Sequence, residues 1–403
     1  MLMMKNSRGF TLIELVVAMA IMVVAIIIAA DAFDKIMYKS SQTQKSSESD
    51  IAGIFGLEVL RTDLNNAGFG LPWSFEGTVN YAEAASNSSA LPGIDPATFN
   101  DAPSNPPRAI LSGDNGFNKD STGVGSKYIV IKSVLAPTSA LSNTWQTIYY
   151  SFTGDKTARP WGDTTRDIAQ TTNVIVLRNV MTGTSQTRSL VTNSAFSPSF
   201  STPFSNISSF ISPNHSNGDV FTVYGVSAST TSAPTLIMPF NRTDYYIRRP
   251  ANNNIPDYCA PNTGILYKSV LTHSAAGGTL TPEIPLLNCV ADMQIVYGMD
   301  SSGNGLNSTN PNLYQTDINN TVGYPADVIR NQLKEVRVYI LAQDGKRDPH
   351  YTYPSQTIEV GEKFGGTLMG RDFDLKAMIG DDYVHYRWKV YTITARPTNL
   401  LQN

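Results

Sequence analysis

A single carboxylate interrupts the longest apolar run of the chain. Glu14 is followed by sixteen consecutive apolar residues, 15–30, and it is preceded by a short head that carries Lys5 and Arg8. An unpaired charge at the centre of a membrane costs about 2.5–3.5 kcal/mol on insertion scales. In a low-dielectric helix bundle a carboxylate is tolerated when it has a partner. An ordinary membrane anchor has no use for such a carboxylate, so Glu14 needs a further explanation.

One further group of oxygen-bearing side chains has the spacing of a metal loop. Asp300, Ser302 and Asn304 stand at the first, third and fifth positions of a calcium loop, and Gly305 stands at the sixth. The twelfth position is Pro311, where such a loop needs a bidentate Glu. A Gly-rich turn is therefore the competing interpretation, and calcium is the one cofactor that the sequence suggests.

Composition and motifs exclude several classes of function. The 30 Lys and Arg residues against 33 Asp and Glu residues give a net charge of −3, so no nucleic-acid-binding surface is expected. Two Cys and four His cannot supply a multi-Cys zinc module or a four-Cys iron–sulfur centre. The sequence lacks G-x-S-x-G, H-E-x-x-H and the phosphate loop, so we expect no enzymatic activity.

The amino terminus admits three interpretations. Phe10–Ala30 spans 21 residues, and a helix of that length measures about 30 Å, which matches a bilayer core. The run is a plain anchor if its cationic head stays in the cytoplasm. It is a removable secretory signal if cleavage follows the A-x-A-like residues 30–32, with a mature chain that starts at Phe33. Neither interpretation gives Glu14 a role.

The third interpretation accounts for this carboxylate. The segment 9–14, Gly-Phe-Thr-Leu-Ile-Glu, resembles the processing site of type IV prepilins. The resemblance implies that prepilin peptidase cuts between Gly9 and Phe10, that the new amino terminus is methylated, and that the apolar run is retained. It also implies that Glu14 pairs with the terminal amine of a neighbouring pilin during assembly.

One long helix is expected to carry this segment. The first Pro is Pro72, so nothing breaks a helix before it, and Gly68 and Gly70 mark its end. We predict a transmembrane or filament-core half at 10–34 and an amphipathic half at 35–70. The predicted core stripe of the second half consists of Ile54, Leu57, Leu60, Leu64 and Ala67, with Ile51 and Phe55 beside them.

Several segments resemble the PilW family of minor pilins. Residues 60–70 are similar to its "R-D-hydrophobic-x-x-A-G-[FY]-G" motif, and 290–300 to its "V-x-D-[LM]-Q-[IV]-x-Y-G-[VI]-D" motif. Further similarity covers 244–247, 264–268, 333–341 and 386–400, but it is absent over about 75–240. The minor pseudopilin J of type II secretion is a related family. The resemblance implies an α+β, pilin-like fold in which the long helix packs on an antiparallel β-sheet head.

The rest of the chain divides by composition. Residues 1–9 form the predicted leader, 71–126 a segment rich in Gly, Pro, Asn and Ser that predicts loops, and 127–403 a β-rich head. A second loop is predicted at 193–218. Turn residues between the candidate strands favour hairpins and an antiparallel sheet. These candidates are 127–134, 146–152, 173–178, 219–226, 244–248, 264–270, 289–298, 334–342 and 383–395.

Export would decide the state of the two thiols. Cys259 and Cys289 are expected to form a disulfide in an oxidising compartment, and two free thiols are the alternative. Closing a loop of this size would stabilise the fold by roughly 3–4 kcal/mol in the chain-entropy model.

The function expected from the sequence is that of a minor pilin that primes assembly. The chain would sit in the bacterial inner membrane with a periplasmic head and then enter the extracellular pilus. Implied partners are prepilin peptidase, the major pilin, other minor pilins and a PilY-type tip adhesin. The alternatives are a tip adhesin that binds through an insert at 75–240, a type II secretion pseudopilin, and a soluble secreted protein.

Overall fold

The computed structural model describes most of the chain. The described residues are 11–86, 94–137, 139–151, 158–182, 185–192, 200–211, 215–228, 236–250, 254–273, 277–301, 311–318 and 324–400.

The first element is a continuous helix, α1 (Leu12–Asn65), of 54 residues. At 1.5 Å per residue it is about 80 Å long. It carries the apolar run without a break and ends at Asn66, whose backbone N–H donates to the carbonyl of Thr62. Gly68 follows with φ +81°, and its N–H donates to the carbonyl of Lys132 at 3.0 Å. The chain therefore leaves the helix and immediately joins the head.

The head is mainly β-structure. Its strands are β1 (Ser74–Phe75), β2 (Ile110–Asp114), β3 (Lys127–Ser133), β4 (Trp145–Tyr149), β5 (Thr172–Thr182), β6 (Ser185–Leu190), β7 (Thr202–Pro203), β8 (Val220–Ala228), β9 (Asn241–Arg248), β10 (Gly264–Leu271), β11 (Leu280–Met299), β12 (Leu313–Gln315), β13 (Leu333–Asp344), β14 (Thr357–Phe364), β15 (Thr367–Asp374) and β16 (Arg387–Ala395). Its short helices are α2 (Ile207–Phe210), α3 (Ala326–Gln332) and α4 (Leu375–Ile379), with 3-10 turns at Pro96–Phe99, Phe204–Asn206 and Asp381–His385.

These strands form two large sheets and a separate hairpin. The main sheet has the order β16-β13-β11-β10-β9-β3-β2, with β12 beside β11, and all its pairings are antiparallel. The second sheet has the order β1-β6-β5-β8-β4, with β7 beside β5, and its β1–β6 pairing is parallel. The hairpin is β14–β15. The predicted α+β fold, a long helix on an antiparallel β head, is confirmed.

The main sheet is covered on both faces. One core joins Leu57, Leu60 and Leu64 of α1 to the inward residues of the main sheet and to Ile175 and Leu177 of the second sheet. A separate core lies beneath the β14–β15 hairpin, on the opposite face of the main sheet. Alternate residues of β13 belong to these two cores, as the period of two in a strand requires.

The prediction of loops over 71–126 is partly wrong. The segment contributes β2 to the edge of the main sheet. Buried ion pairs hold the residues that precede β2. Lys132 Nζ lies 2.7 Å from Glu83 Oε2 and 2.6 Å from Asp101 Oδ2, and Asp101 also pairs with Arg108 at 2.5 Å. Burial raises the pKa of Asp101, but Lys132 and Arg108 outweigh it and hold that pKa below its ordinary value. Polar composition in this segment therefore reflects a paired charge cluster as well as loops.

Other element boundaries also differ from expectation. The predicted strand 383–395 begins at Arg387, because Asp381–His385 forms a 3-10 turn. The predicted loop 193–218 contains β7 and α2, while 193–199 and 212–214 lie outside the described residues. The strands β1, β6, β12, β14 and β15 were also not predicted. Two of them, β1 and β12, have only two and three residues, and the other three consist mostly of polar residues and glycine.

The predicted core stripe of α1 is wrong at one of its positions. Leu57, Leu60, Leu64 and Ala67 are buried as expected, but Ile54 is 66% exposed. Ile51 and Phe55, expected beside the stripe, are also exposed. An amphipathic helix buries one face, and the close approach of Gly56 to the main sheet determines which face of α1 is buried. A Cβ atom at Gly56 would lie 2.3 Å from the carbonyl oxygen of Leu286, so α1 crosses β11 in close contact at this glycine.

Candidate assembly and processing site

The helix that carries Glu14 begins with a reciprocal cap. The backbone N–H and the hydroxyl of Thr11 both donate to Glu14 Oε2 at 2.9 Å. The Glu14 N–H donates in return to Thr11 Oγ1 at 3.4 Å. This is a capping box, which satisfies amide donors that a helix start leaves unpaired. The sequence pattern Thr-x-x-Glu before an apolar run could have predicted this cap.

Glu14 lies five residues beyond Gly9 in the sequence, on the first turn of α1. Gly9 and Phe10 themselves lie outside the described residues. Both Thr11 contacts go to the same carboxylate oxygen, Oε2. A charged carboxylate at a helix start is also favoured by the positive end of the helix dipole. The capping box therefore holds the exposed Glu14 side chain at the first turn of α1.

The apolar half of α1 makes no core of its own. In the part of the chain that the structure describes, α1 is the one helix long and apolar enough to cross a membrane, and its most apolar window is unburied. Side chains such as Leu12, Met22 and Ile28 are more than half exposed all round the helix. A helix that is apolar on every side needs an apolar environment, either lipid or other helices.

Where the helix meets the head, its contacts are first polar. The hydroxyl of Tyr38 and the amide of Gln42 donate to the carbonyl of Arg347 at 3.2 and 3.0 Å. Ser46 Oγ donates to Asp344 Oδ1 at 2.7 Å, and Lys346 Nζ donates to Ser41 Oγ at 2.8 Å. These contacts explain how a stretch without an apolar face, 39–50, can remain helical against the head.

Further along, one ion pair locks the helix to the main sheet. Asp63 Oδ2 lies 2.6 Å from Lys268 Nζ and accepts a 2.5 Å hydrogen bond from the hydroxyl of Tyr245. Tyr245 and Lys268 are cross-strand partners on β9 and β10, so both present their side chains to α1. All three residues are buried. Burial raises the pKa of Asp63, although Lys268 and Tyr245 act in the opposite direction.

The two cysteines are joined in the structure. Cys259 and Cys289 form a disulfide that ties the connection before β10 to β11. Beside it, the Ala260 N–H donates to Gln343 Oε1 at 2.5 Å. The disulfide therefore fastens a connection to the central strands of the main sheet, on which α1 also packs.

The predicted calcium ligands are not assembled within the described residues. Asp300 is buried at the end of β11, whereas Ser302 and Asn304 lie outside those residues. No group of three or more His, Cys, Asp or Glu side chains able to hold a metal occurs in the described part of the chain. Calcium binding by Asp300, Ser302 and Asn304 stays a prediction.

The histidines are dispersed and hold different partners. His215 Nε2 lies 3.0 Å from Glu76, His273 Nε2 lies 3.0 Å from Asn241, and His385 Nδ1 lies 3.0 Å from the carbonyl of Tyr351. Burial lowers the pKa of His273 to about 4, which keeps its ring neutral at physiological pH. These histidines have the contacts of structural residues.

Comparison with known proteins supports the interpretation of the amino terminus. Residues 4–30 match the family model described as the prokaryotic N-terminal methylation motif. No curated protein matches the chain. Among solved structures, a type IV-like pilin from Thermus thermophilus is similar, with 10% identity, 42% of this chain and 74% of that chain covered, and a TM-score of 0.23.

The matched methylation motif coincides with the beginning of the long apolar helix. The motif covers residues 4–30 and so includes the apolar start of α1, and this helix continues into an antiparallel β head. The motif implies cleavage by prepilin peptidase and assembly with other pilins, and the apolar helix fits anchoring in the inner membrane before assembly. This combination favours a structural subunit over an enzyme.

Proposed function

We propose that this chain is a PilW-like minor pilin that primes the assembly of a type IV pilus and occupies its tip. The observation that carries the proposal is the unburied apolar half of α1, most of which lies within the matched methylation motif and which begins with the Thr11–Glu14 capping box. Cleavage between Gly9 and Phe10 would leave this half in the inner membrane, with the head in the periplasm. Assembly would then transfer it from lipid to the helices of other subunits.

The role proposed for Glu14 follows from its position. It lies four residues beyond the amine that cleavage at Phe10 would create. The Thr11 contacts occupy Oε2, and the charged carboxylate would pair with the terminal amine of a neighbouring subunit. Such a pair is favourable between helices because neither charge then faces an apolar medium alone. One charge pair per subunit would set the axial register.

The size of the head supports a terminal position. The second sheet and the β14–β15 hairpin widen the head on opposite faces of the main sheet. A wide head fits best at a filament end, where neighbours surround fewer of its sides. The proposed contacts are the major pilin and other minor pilins below, and a PilY-type adhesin above.

Quantitative mass spectrometry of sheared pili tests this position. We expect the protein in the filament fraction at far below one copy per ten major pilin subunits, and we expect deletion of its gene to reduce pilus number strongly. A one-to-one ratio with the main subunit would contradict a minor role. Normal pilus number without the gene would contradict priming.

A second candidate function, adhesion, is favoured by one feature of the second sheet. Tyr149 and Trp161 are the two exposed aromatic side chains among the described residues of the head. Arg159 stacks over Tyr149 at 4.2 Å, and Arg166 stacks over Trp161 at 5.4 Å. Exposed aromatic and arginine side chains dominate the energetics of many binding surfaces. This aromatic patch lies at edge strand β4, within the region first considered as an adhesive insert.

Point substitutions test adhesion better than deletion of the insert. Residues 75–240 include β2 and β3 of the main sheet, so their removal would damage the head as a whole. For the double variant Y149A/W161A, adhesion predicts normal pilus number with at least a tenfold loss of attachment. The exposed Met181 provides a matched control, M181A, which should attach normally. Normal attachment of Y149A/W161A would exclude this patch as the adhesive surface.

A further inference from the structure

One lysine of the head is held between two carboxylates inside the core. Lys132 of β3 has a fully buried side chain, and its Nζ lies 2.6 Å from Asp101 Oδ2 and 2.7 Å from Glu83 Oε2. The side chains of Asp101 and Glu83 are only 5% and 0% exposed. The ring of Phe240 lies 5.5 Å from the same Nζ. An amine, a carboxyl group and a second carboxylate therefore meet where solvent does not reach.

We propose that Lys132 and Asp101 condense after folding to form an intramolecular isopeptide bond, with Glu83 as the proton carrier. Lys132 Nζ attacks Cγ of Asp101, so that a C–N bond forms and the bond from Cγ to Oδ2 breaks. Glu83 takes two protons in turn from Nζ and passes them to Oδ2, which leaves as water. One ammonium and one carboxylate thus become one neutral amide, and Glu83 ends as it began. The step needs no co-reactant and does not depend on the proposed function.

Arg108 is placed to assist the attack on Asp101. Its Nε donates to Asp101 Oδ1 at 2.5 Å, and its backbone N–H donates to Oδ2 at 2.8 Å. A cation beside Oδ1 stabilises the negative charge that develops on this oxygen when the amine adds to Cγ. The same cation favours the ionised carboxylate, which is a weak electrophile. The reacting form is therefore the one in which a proton has passed from Lys132 to Asp101, and burial favours such neutral forms.

The fold supplies the conditions that amide formation lacks in water. Reacting groups that are held in contact reach effective molarities of about 10⁵–10⁸ M. Condensation also removes one charge of each sign from a buried site, where unpaired charges are costly. The nearby ion pairs of Arg242 with Glu83 and with Asp244 are retained. The remaining charges of the cluster are two cations, Arg108 and Arg242, and two carboxylates, Glu83 and Asp244, so they stay balanced.

The bond would fasten the polar segment before β2 to the main sheet. Asp101 and Lys132 are 31 positions apart in the sequence. The loop that the bond closes contains β2, which is the edge strand of the main sheet. A covalent link at this edge would prevent β2 and the segment before it from separating from β3 when the head is heated or pulled.

Mass spectrometry of the purified full chain, with its disulfide reduced, tests the inference. We expect an intact mass lower than the calculated one by one water molecule, and a tryptic peptide pair in which Lys132 is joined to Asp101. Lys268 is an internal control. It lies 2.6 Å from Asp63 Oδ2, but a neutral hydroxyl, that of Tyr245, donates to this carboxylate, so we expect no linkage there. An unshifted mass, or a lost water without the Lys132–Asp101 peptide pair, would overturn the inference.

A variant of Glu83 tests the proton transfer. E83Q keeps the shape of the side chain but removes the proton acceptor, so the linked peptide pair should fall at least tenfold. The matched control is E283Q, which changes a glutamate that is paired with Arg248 outside this cluster and should link like the wild type. Wild-type linkage in E83Q would overturn the role of Glu83. The mass of the wild type decides whether the bond exists, independently of how any variant folds.

Discussion

The variant E14A should be processed almost normally but should be lost from pili by at least tenfold. The proposed cleavage lies between Gly9 and Phe10, and Glu14 lies five residues beyond Gly9 in the sequence. Alanine removes the only ionisable group of the segment 11–30 and with it the proposed charge pair to a neighbouring amine. The measurement compares the protein in membranes and in sheared pili by immunoblot, with the processed fraction determined from its mass.

Two control variants separate charge pairing from helix capping. E14Q retains an oxygen that can accept from Thr11 and loses the charge, so it should fail in assembly as E14A does. T11A removes the hydroxyl contact at 2.9 Å and weakens the helix start by about 1 kcal/mol, so it should assemble nearly normally. Normal incorporation of E14Q would contradict the charge-pair account, because the cap alone would then suffice.

The variant K268M should destabilise the head by about 3–5 kcal/mol, which is the usual cost of leaving one partner of a buried ion pair unpaired. Asp63 lies on α1, about 50 Å along the helix from Ala30 and outside the apolar span. In the variant it would remain buried against Tyr245 of β9. The free energy of unfolding, measured by denaturant titration of the detergent-solubilised full chain, should fall accordingly.

The loss should grow with pH. Burial already raises the pKa of Asp63, and removal of Lys268 removes a group that lowers it. A carboxyl whose folded pKa exceeds its unfolded value of about 3.9 supports the fold when protonated, and it loses that support as pH rises towards the folded pKa. Between the folded pKa of Asp63 in the wild type and its higher folded pKa in K268M, the variant should lose up to about 1.4 kcal/mol of stability per pH unit relative to the wild type.

A second substitution tests whether the unpaired charge causes this loss. The double variant D63L/K268M removes both charges and should recover most of the stability and the pH dependence, since an apolar pair of similar volume can replace a buried ion pair. Equal stability of K268M and the wild type, or a double variant worse than K268M, would show that the ion pair does not lock α1 to the sheet.

The long helix could be predicted because its signals are local. An unbroken apolar run, the absence of Pro before Pro72 and the three–four spacing of Leu57, Leu60 and Leu64 are all visible in sequence. The exposure of Ile54 could not be predicted, because periodicity identifies apolar faces but not what covers them. The covered face depends on the close crossing at Gly56, and that contact involves a strand more than two hundred residues away.

The β head was predictable in kind but not in arrangement. Strands with strong β-formers, such as β9 and β13, were found at nearly their true positions. The β14–β15 hairpin was missed because its Gly-rich strands have few buried side chains, Val360 and Phe373 among them. Besides the core beneath it, the hairpin is held by Arg371, which donates to both carboxylate oxygens of Asp292 at 2.8 and 2.6 Å.

The residues of the candidate site also differ in whether the sequence could predict them. Glu14 stood out because a lone charge in an apolar run is a local anomaly. The Asp63–Tyr245 contact joins residues 182 positions apart, and in sequence each is an ordinary polar or aromatic residue. Such pairs depend on sheet register, which places Tyr245 opposite Lys268.

The mass of the mature amino terminus, measured on protein from native membranes or sheared pili, tests the central claim most directly. The account predicts a chain that starts at N-methylated Phe10 and retains the whole apolar run. A start at Phe33 would mean a removed secretory signal, and an uncut start at Met1 would mean a plain membrane anchor. Either of these two results would contradict a pilin-type subunit and the assembly role assigned to Glu14.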